Sequence, residues 1–569
     1  MKKTISLIVC LFLVLAMLMG CTGTATQSSE TTKAPAGSNS TTAATTASGK
    51  PVTITLLTYE SDTEWAVADT PNFKAIQKIM LDKFNVDYQL ETALSKEYET
   101  TITTRFASGQ DLPDIINFGY ASNKLIDLYT NGLILKLNDL IDQYAPDYKE
   151  LLGIRPYLIV ANGDRDGNIL RIPAQYIENP QHRISVMTIR KDWLTKLGLN
   201  MPSTPEEYYT VLKAFQDQDA NGNGKKDEFL TTIGTSTLNK VFGAAFGVKY
   251  MVNAADSWYT DDSSKIYNTF LTTEAKDYVT FMSKLYSEKL LDNDFMNQTG
   301  EQFNEKLYNN QVAGEVGAWW DSAIYNTQVR DKGFSEADLI PMVPSLSVNN
   351  KPLVYLKDLP GYDGFMITKD CDDPVAAMKT INWGYTLEGS QMNYYGETGE
   401  GGDYYEKATA LEGLTMPDYQ MQYTAKGKAA AAEEPLLWNK MGWNWELSTK
   451  CLIGNADCIA QEFAQSFSNS GTAADVQFNL KGLNDAVDKY GIPAVNFVAP
   501  TTEQSTQWAN YSDLWTYMDE MIGKFITGTE PVSNWDAFVA KCESMGIKDA
   551  TAIKQDQYDA YVKVMSTQK

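Results

Sequence analysis

VTITLLTY, residues 52–59, opens the stretch that decides the fold. It is a β-branched run that ends at a turn signal, and it reads as a buried strand. NFKAIQKIMLDKF (72–84) follows with helical spacing, then the strand-like NVDYQLE (85–91). A second helical pattern covers 96–106, and LPDIINFG (112–119) reads as a third, buried strand. A β-α-β-α-β rhythm implies an α/β fold with a parallel sheet and helices on its faces. Open α/β sheets take ligands beyond the carboxyl ends of their strands. Tyr59, Glu60 and Trp65 after the first strand, and Tyr120 after the third, are therefore candidate ligand contacts.

The pattern continues to the end of the chain. Helix-like segments lie near 137–152, followed by the strand-like NILRIPAQY (168–176) and RISVMTIRKDW (183–193). Helical spacing dominates 272–291, 374–388, 505–527 and 534–569. No internal repeat is visible. At 569 residues the chain is long enough for more than one core.

Lys+Arg total 48 against Asp+Glu 72, a net charge of −24. That balance argues against a nucleic-acid partner, which needs a basic surface. It also argues against docking on an anionic membrane through a basic patch. The single histidine, His182, rules out zinc sites built from several imidazoles and leaves little room for a histidine-based triad. G-x-S-x-G and the P-loop pattern are both absent. The globular part holds Cys371, Cys451, Cys458 and Cys542, too few for a disulfide scaffold. Cys451 and Cys458 are close enough to pair if the chain turns between them, and free thiols are the equal alternative.

The N-terminus reads as an export signal. Lys2 and Lys3 precede an apolar run from Ile5 to Met19, shorter than the ~20 residues a bilayer-spanning helix needs. Leu18-Met19-Gly20-Cys21 has the pattern of a lipobox, in which the Cys21 thiol carries the lipid, with palmitate among its acyl chains. Residues 1–20 are then a lipoprotein signal peptide. Residues 21–50 carry fourteen Ser/Thr after Cys21 and almost no large apolar residue, so they read as a flexible tether. Lipid and tether together put the rest of the chain on the outer face of a cell membrane.

The loop DQDANGNGKKDE, residues 217–228, matches D-x-[DN]-x-[DN]-G-x5-E. A hard cation such as Ca²⁺ needs six to eight oxygens, and Gly222 permits the sharp turn that lets alternating side chains converge. Two registers fit, one starting at Asp217 and one at Asp219. The second uses Asp219, Asn221, Asn223, the Lys225 carbonyl, Asp227 and Glu228.

With 12 Trp and 32 Tyr, the chain has material for stacking on the apolar faces of sugar rings. Besides the strand-end residues above, Trp319-Trp320-Asp321 follows a short apolar segment, and Trp443 and Trp445 lie in a loop-like stretch. Gln175, Tyr176, Arg190 and Asp363 complete the candidate set. Arg190 has an alternative use in a structural ion pair with Asp192. Trp193, Trp383 and Trp535 fall in helical periodicity and are expected in the core.

Several segments in a fixed order carry a family resemblance. They are the lipobox and Thr-rich leash, the βαβαβ unit ending in DLPDII, IRKDWLTKLGLNMPSTPEEYYTVLKAF (189–215) and DANGNGKKDE (219–228). GYDGFMITKDCDDPVAAMKTINWGY (361–385), NYYGETGEGGDYYE (393–406) and MDEMIGKFITGTEPVSNWDAFVAKCESMGIKD (518–549) follow. Together they resemble the large extracellular solute-binding lipoproteins of Gram-positive ABC sugar importers, the group that includes alginate-oligosaccharide-binding proteins. The resemblance implies a two-lobed periplasmic-binding-protein-like fold with a hinge and an interlobe cleft. On that analogy one lobe takes 51–188 plus 342–388, and the other 189–341 plus 389–569. It favours the calcium register starting at Asp219, with a structural role for the ion. It implies an oligosaccharide ligand, membrane permease subunits as partners, a monomer and no catalysis. Two alternatives remain at this level. A surface glycan hydrolase would need a carboxylate pair, for which Glu60, Asp62, Asp321 and Glu400 supply candidates but no telling spacing. A sensory or adhesive lipoprotein would share the anchor and tether.

Overall fold

The first sheet has the strand order β12-β3-β1-β2. β1 (Val52–Glu60) runs parallel to β2 (Val86–Leu94) and to β3 (Ile115–Asn117). β12 (Phe365–Ile367) joins antiparallel to β3, with Phe365 opposite Asn117 and Ile367 opposite Ile115. A computed structural model gives this arrangement and describes residues 49–60, 71–119, 122–177, 185–318, 321–342, 345–356, 363–395, 405–407, 421–423, 425–426, 450–452, 486–487 and 489–567. The helices Pro71–Phe84 and Ser95–Ser108 connect the parallel strands, as the apolar spacing required. The third strand is shorter than its apolar run suggested. Leu112 and Pro113 are buried but lie outside the ladder, and Pro113 brings no N–H to it.

The second sheet has the order β10-β5-β9-β6. β5 (Ser185–Arg190) is antiparallel to both β9 (Val312–Ala318) and β10 (Leu339–Pro341), while β6 (Phe229–Thr231) is parallel to β9. Short pairs make up the rest. They are β4 (Gln175–Ile177) with β15 (Lys450–Leu452), β7 (Trp258–Thr260) with β8 (Ile266–Asn268), β11 (Val354–Leu356) with β16 (Gly491–Pro493), and β13 (Tyr405–Lys407) with β14 (Met421–Tyr423). The strand-like NILRIPAQY supplies only single bridges, Gly163 to Ile169 and Ile172 to Phe365, before β4.

Two main cores result, each drawing on distant chain segments. The first gathers Ile54, Ile115, Leu137, Tyr148, Ile172, Phe365, Met378 and Trp383. The second gathers Met187, Trp193, Phe215, Leu230, Phe242, Trp258, Val316 and Leu346 with Leu514, Phe525, Trp535, Cys542 and Ala550. Trp193, Trp383 and Trp535 are buried, in line with their helical spacing. Several helices start at caps written in the sequence. Thr204-Pro205-Glu206-Glu207 forms a capping box with Pro205 in the first turn, and Thr299/Gln302 and Thr501/Gln504 repeat the device. The described residues from 49 onward form one compact unit. Among the described residues, no helix is long and apolar enough to cross a membrane.

Candidate functional site

The carboxyl end of the first sheet carries a polar cluster. Tyr59 is the penultimate residue of β1, and its hydroxyl donates to Asp363 Oδ2 at 3.0 Å. Next along the strand, Glu60 accepts from the Thr92 hydroxyl at 3.0 Å. Tyr98, on the helix after β2, supports this edge from beneath. Its hydroxyl lies 2.9 Å from the Leu57 carbonyl and 2.7 Å from that of Asn117, and its ring packs against Tyr59 and Phe118.

Asp363 is held by its backbone as well. Gly364 N donates to Asn117 Oδ1 at 3.1 Å, and Phe118 N donates to the Gly364 carbonyl at 2.9 Å. Asp363 itself takes a left-handed conformation, φ 48°, which Asp tolerates better than most residues. Its carboxylate lies so close to Gly119 that a Cβ there would sit 2.7 Å from Oδ1. A side chain at 119 would displace the carboxylate.

Arg171 underlies the cluster. It is 6% exposed, with Nε donating to Asn162 Oδ1 at 3.0 Å and Nη1 to the Phe118 carbonyl at 3.4 Å. Burial lowers its guanidinium to about 10, and the charge of Asp363 opposes that fall. The cation therefore persists at neutral pH and is spent inside the protein. What faces outward is a carboxylate–phenol pair with a second carboxylate beside it. Such a set accepts hydrogen bonds from hydroxyls, with aromatic surface at hand, while its one phenol proton is held by Asp363.

Other candidates fall elsewhere. Arg190 ends β5, and β5 is antiparallel to β9, so Arg190 lies at the far end of the second sheet from Ala318. It is 2% exposed, forks onto Asp192 at 2.7 and 2.6 Å, donates to Asn310 at 2.5 Å and covers Trp193. The ion-pair alternative is the one realised. A surface cavity of about 730 Å³ borders it, but Asp192 there is taken by Arg190, and Asp338 pairs with Lys191 and Arg330. Gln175 and Tyr176 lie in β4, opposite Lys450 and Cys451, and Asp321 starts the helix Asp321–Asp331. Trp65, Tyr120, Trp319, Trp320, Trp443, Trp445 and Cys21 lie outside the described residues.

The acidic loop follows the helix Pro205–Asp217. Asp217 is the last residue of that helix and pairs with Lys226 of the loop at 2.6 Å. Asp219 turns the chain at φ 50° and accepts from Asn223 N and Gly224 N, both at 2.9 Å. Asp227 accepts from the Asn221, Asn223 and Gln311 amides at 2.8–3.2 Å. Glu228 is fully buried, accepts only backbone N–H groups from Asn221 and Asp227, and burial raises its pKa. Among the described residues, no group of three acids, cysteines or histidines is closed up as a metal site. The donor set nevertheless fits a hard cation. Three carboxylates, two Asn side chains and the Lys225 carbonyl lie in one loop, and among the described residues its buried carboxylate meets no cation. A Ca²⁺ ion bound there would be held through oxygen by Asp219, Asn221, Asn223, the Lys225 carbonyl, Asp227 and Glu228.

Residues 68–391 match the model of the bacterial extracellular solute-binding protein family. The chain belongs to that family. It is 25% identical over 476 residues to the fructooligosaccharide ABC transporter substrate-binding protein FusA of Streptococcus pneumoniae, covering 80% of this chain and 81% of that one. It is 30% identical over 198 residues to a polygalacturonan/rhamnogalacturonan-binding protein of Bacillus subtilis, covering 35% and 37%. Among solved structures, the alginate-binding protein AlgQ2 without calcium ion gives a TM-score of 0.60 at 21% identity, covering 90% of this chain and 98% of that one. FusA of S. pneumoniae in complex with kestose gives 0.63 at 21% identity, covering 90% and 99%. The fold is thus that of the two-lobed solute-binding proteins.

Proposed function

We propose that this family member is the capture subunit of an ABC importer for an oligosaccharide. The observation that carries the reading is the Tyr59–Asp363 pair, at the carboxyl end of parallel strands in a two-lobed binding fold. The pair receives sugar hydroxyls on the first lobe, with Glu60 beside it, and the second lobe closes over the ligand. The likeness to a fructooligosaccharide-binding subunit over four-fifths of both chains supports a sugar as the solute.

On this reading we draw the lobes from the two cores, and they depart from the expected 188/189, 341/342 and 388/389 divisions. Ser185 and Val186 pair within the second sheet, which supports assigning them to lobe two. Met342 and Leu346 sit in the second core, and Met392 sits in the first, which moves the later crossings as well. Lobe one then takes 51–184 plus 363–395, and most of the remainder belongs to lobe two.

The protein binds and releases its ligand unchanged. It acts as a monomer beside its permease, held at the outer membrane face by lipid on Cys21, with Ca²⁺ bracing the 219–228 loop. Calorimetric titration with a panel of neutral and acidic oligosaccharides tests the proposal. Micromolar or tighter binding with the sugar recovered intact is the expected result. Cleavage of any bound glycan would favour the hydrolase alternative instead.

A further inference from the structure

Oligosaccharides come as neutral chains and as uronate chains, and the two ask opposite things of a binding face. A uronate carboxylate at neutral pH accepts hydrogen bonds and donates none, whereas every hydroxyl of a neutral sugar can donate. Asp363 presents an acceptor. Its Oδ2 takes the Tyr59 hydroxyl at 3.0 Å, and its Oδ1 takes no hydrogen bond among the described residues. Oδ1 lies beside Gly119, which is exposed, and a Cβ on that glycine would sit 2.7 Å from it. The absent side chain leaves this edge of the carboxylate open to a ligand. Glu60, the next residue of β1, adds a second, half-buried carboxylate, which accepts from the Thr92 hydroxyl.

The positive charge stands behind this face. A Cβ on Gly364 would meet Arg171 Cγ and Cδ at 2.5 Å, so the arginine stem crosses directly against the residue after Asp363. Its head turns inward, to Asn162 Oδ1 and the Phe118 carbonyl, and the residue is buried. A site built for uronates has the reverse arrangement, with guanidinium or ammonium N–H groups facing the ligand. Lys96, at the start of the helix after β2, lines a separate groove along that helix with Thr100, Thr104 and Arg105. The sequence leaving β1, residues 61–70, holds Asp62, Glu64 and Asp69 and no Lys or Arg.

We propose that this face selects neutral oligosaccharides and rejects uronate chains, with Asp363 Oδ1 as the discriminating acceptor and Glu60 reinforcing it. The inference rests on the capture reading above and narrows its ligand to one chemical class. A sugar hydroxyl at Oδ1 makes a charge-assisted hydrogen bond. A ligand carboxylate brought to the same place leaves Oδ1 unmatched and sets like charges side by side. At low salt that repulsion alone should separate the two classes by about tenfold or more. Selectivity by shape would not respond to salt, and selectivity by charge must.

Calorimetric titration of the full-length protein in detergent tests this with kestose, maltotriose, mannotriose, xylotriose, trimannuronate and trigalacturonate. The tightest ligand should be a neutral sugar. That sugar is then oxidised at its primary hydroxyls to the uronate, and the acid is compared with its methyl ester, which keeps the skeleton and removes the charge. The ester should bind at least about tenfold tighter than the acid at low salt. The gap should shrink in about 1 M NaCl. Asp363→Asn, which keeps the shape of the side chain, should narrow it by about threefold or more. Glu60→Gln should narrow it as well, and it carries the test if Asp363→Asn does not fold. A uronate as the tightest ligand would overturn the inference and leave the capture reading standing. Equal binding of acid and ester would overturn it too, as would a gap that neither variant narrows. If no sugar binds, the capture reading falls and this inference falls with it.

Discussion

Gln555 and Asp556 are neighbours on one helix, yet Gln555 holds the β7–β8 hairpin, whose Trp258 and Ile266 sit in the second core, and Asp556 holds Arg165, whose turn is bridged to Ile169 of the first. One turn of helix thus carries the junction of two bodies. The Asp556 carboxyl sits below its ordinary value, chiefly through the Arg165 hydrogen bond and also through Gln504. A carboxyl depressed in the folded state contributes stability above its unfolded pKa of about 3.9 and loses it as pH falls through the folded value. Acid denaturation below about pH 4 should therefore be less steep in Asp556→Asn than in the wild type, by a few tenths of a kcal/mol, because the pair is largely exposed. Urea melts at pH 3, 4 and 7 measure the difference.

Asp363 and Tyr59 should matter to the ligand more than to the fold. Asp363→Ala removes a charged hydrogen-bond acceptor and should weaken oligosaccharide binding by about 2 kcal/mol, some thirtyfold. Tyr59→Phe keeps the ring against Tyr98 and should cost about 1 kcal/mol of binding. Calorimetry on both variants, alongside their melting curves, separates the two effects. Arg171→Met is the contrasting case. It strips a buried cation from Asn162 and from the field of Asp363, and should lower stability by about 3 kcal/mol.

Arg190 should behave as a structural residue. Its guanidinium and Asp192 are 3% and 16% exposed, so Arg190→Ala leaves a nearly buried carboxylate unpaired. The expected loss is about 3–5 kcal/mol of folding stability. Ligand affinity of the folded fraction should stay within twofold of wild type by titration.

Calcium should act on stability alone. At one hundred times its dissociation constant, Ca²⁺ should add about 2.7 kcal/mol to unfolding free energy, and EDTA should remove it. Asp219→Ala should abolish the calcium effect while keeping the chelated protein's melting temperature within a few degrees. Melting curves that ignore both chelator and calcium would exclude the site.

The β1–β2–β3 unit was legible because two local periods, near 2 and near 3.6, alternate over short spans. Neighbouring residues carry that signal. The Tyr59–Asp363 pair joins residues 304 apart, and nothing local announces it. Tyr98 reads as one more apolar position on an amphipathic helix, although its hydroxyl spans two strands. Arg171 did leave a trace, as a lone cation in the otherwise apolar ILRIPA. A single charge in a buried run implies an internal partner. In the sequence Arg190 is open to two uses, ligand contact or an ion pair with Asp192, and the choice between them depends on strand direction. β5 runs antiparallel to β9, so its carboxyl end faces away from Ala318. Direction is a property of the assembled sheet, and no window of residues contains it.

The interleaving of the two cores constrains how the protein is made. Ile54 and Ile115 need Phe365 to complete their sheet, and Met187 and Val316 need Phe525 and Ala550 to complete their core. Neither body can close on a partly synthesised chain. Most of the polypeptide must therefore emerge before long-range contacts repay loop closure, which makes folding late and slow by topology. For an exported chain that delay is an advantage, since a polypeptide that cannot fold early stays thin enough to thread a secretion channel.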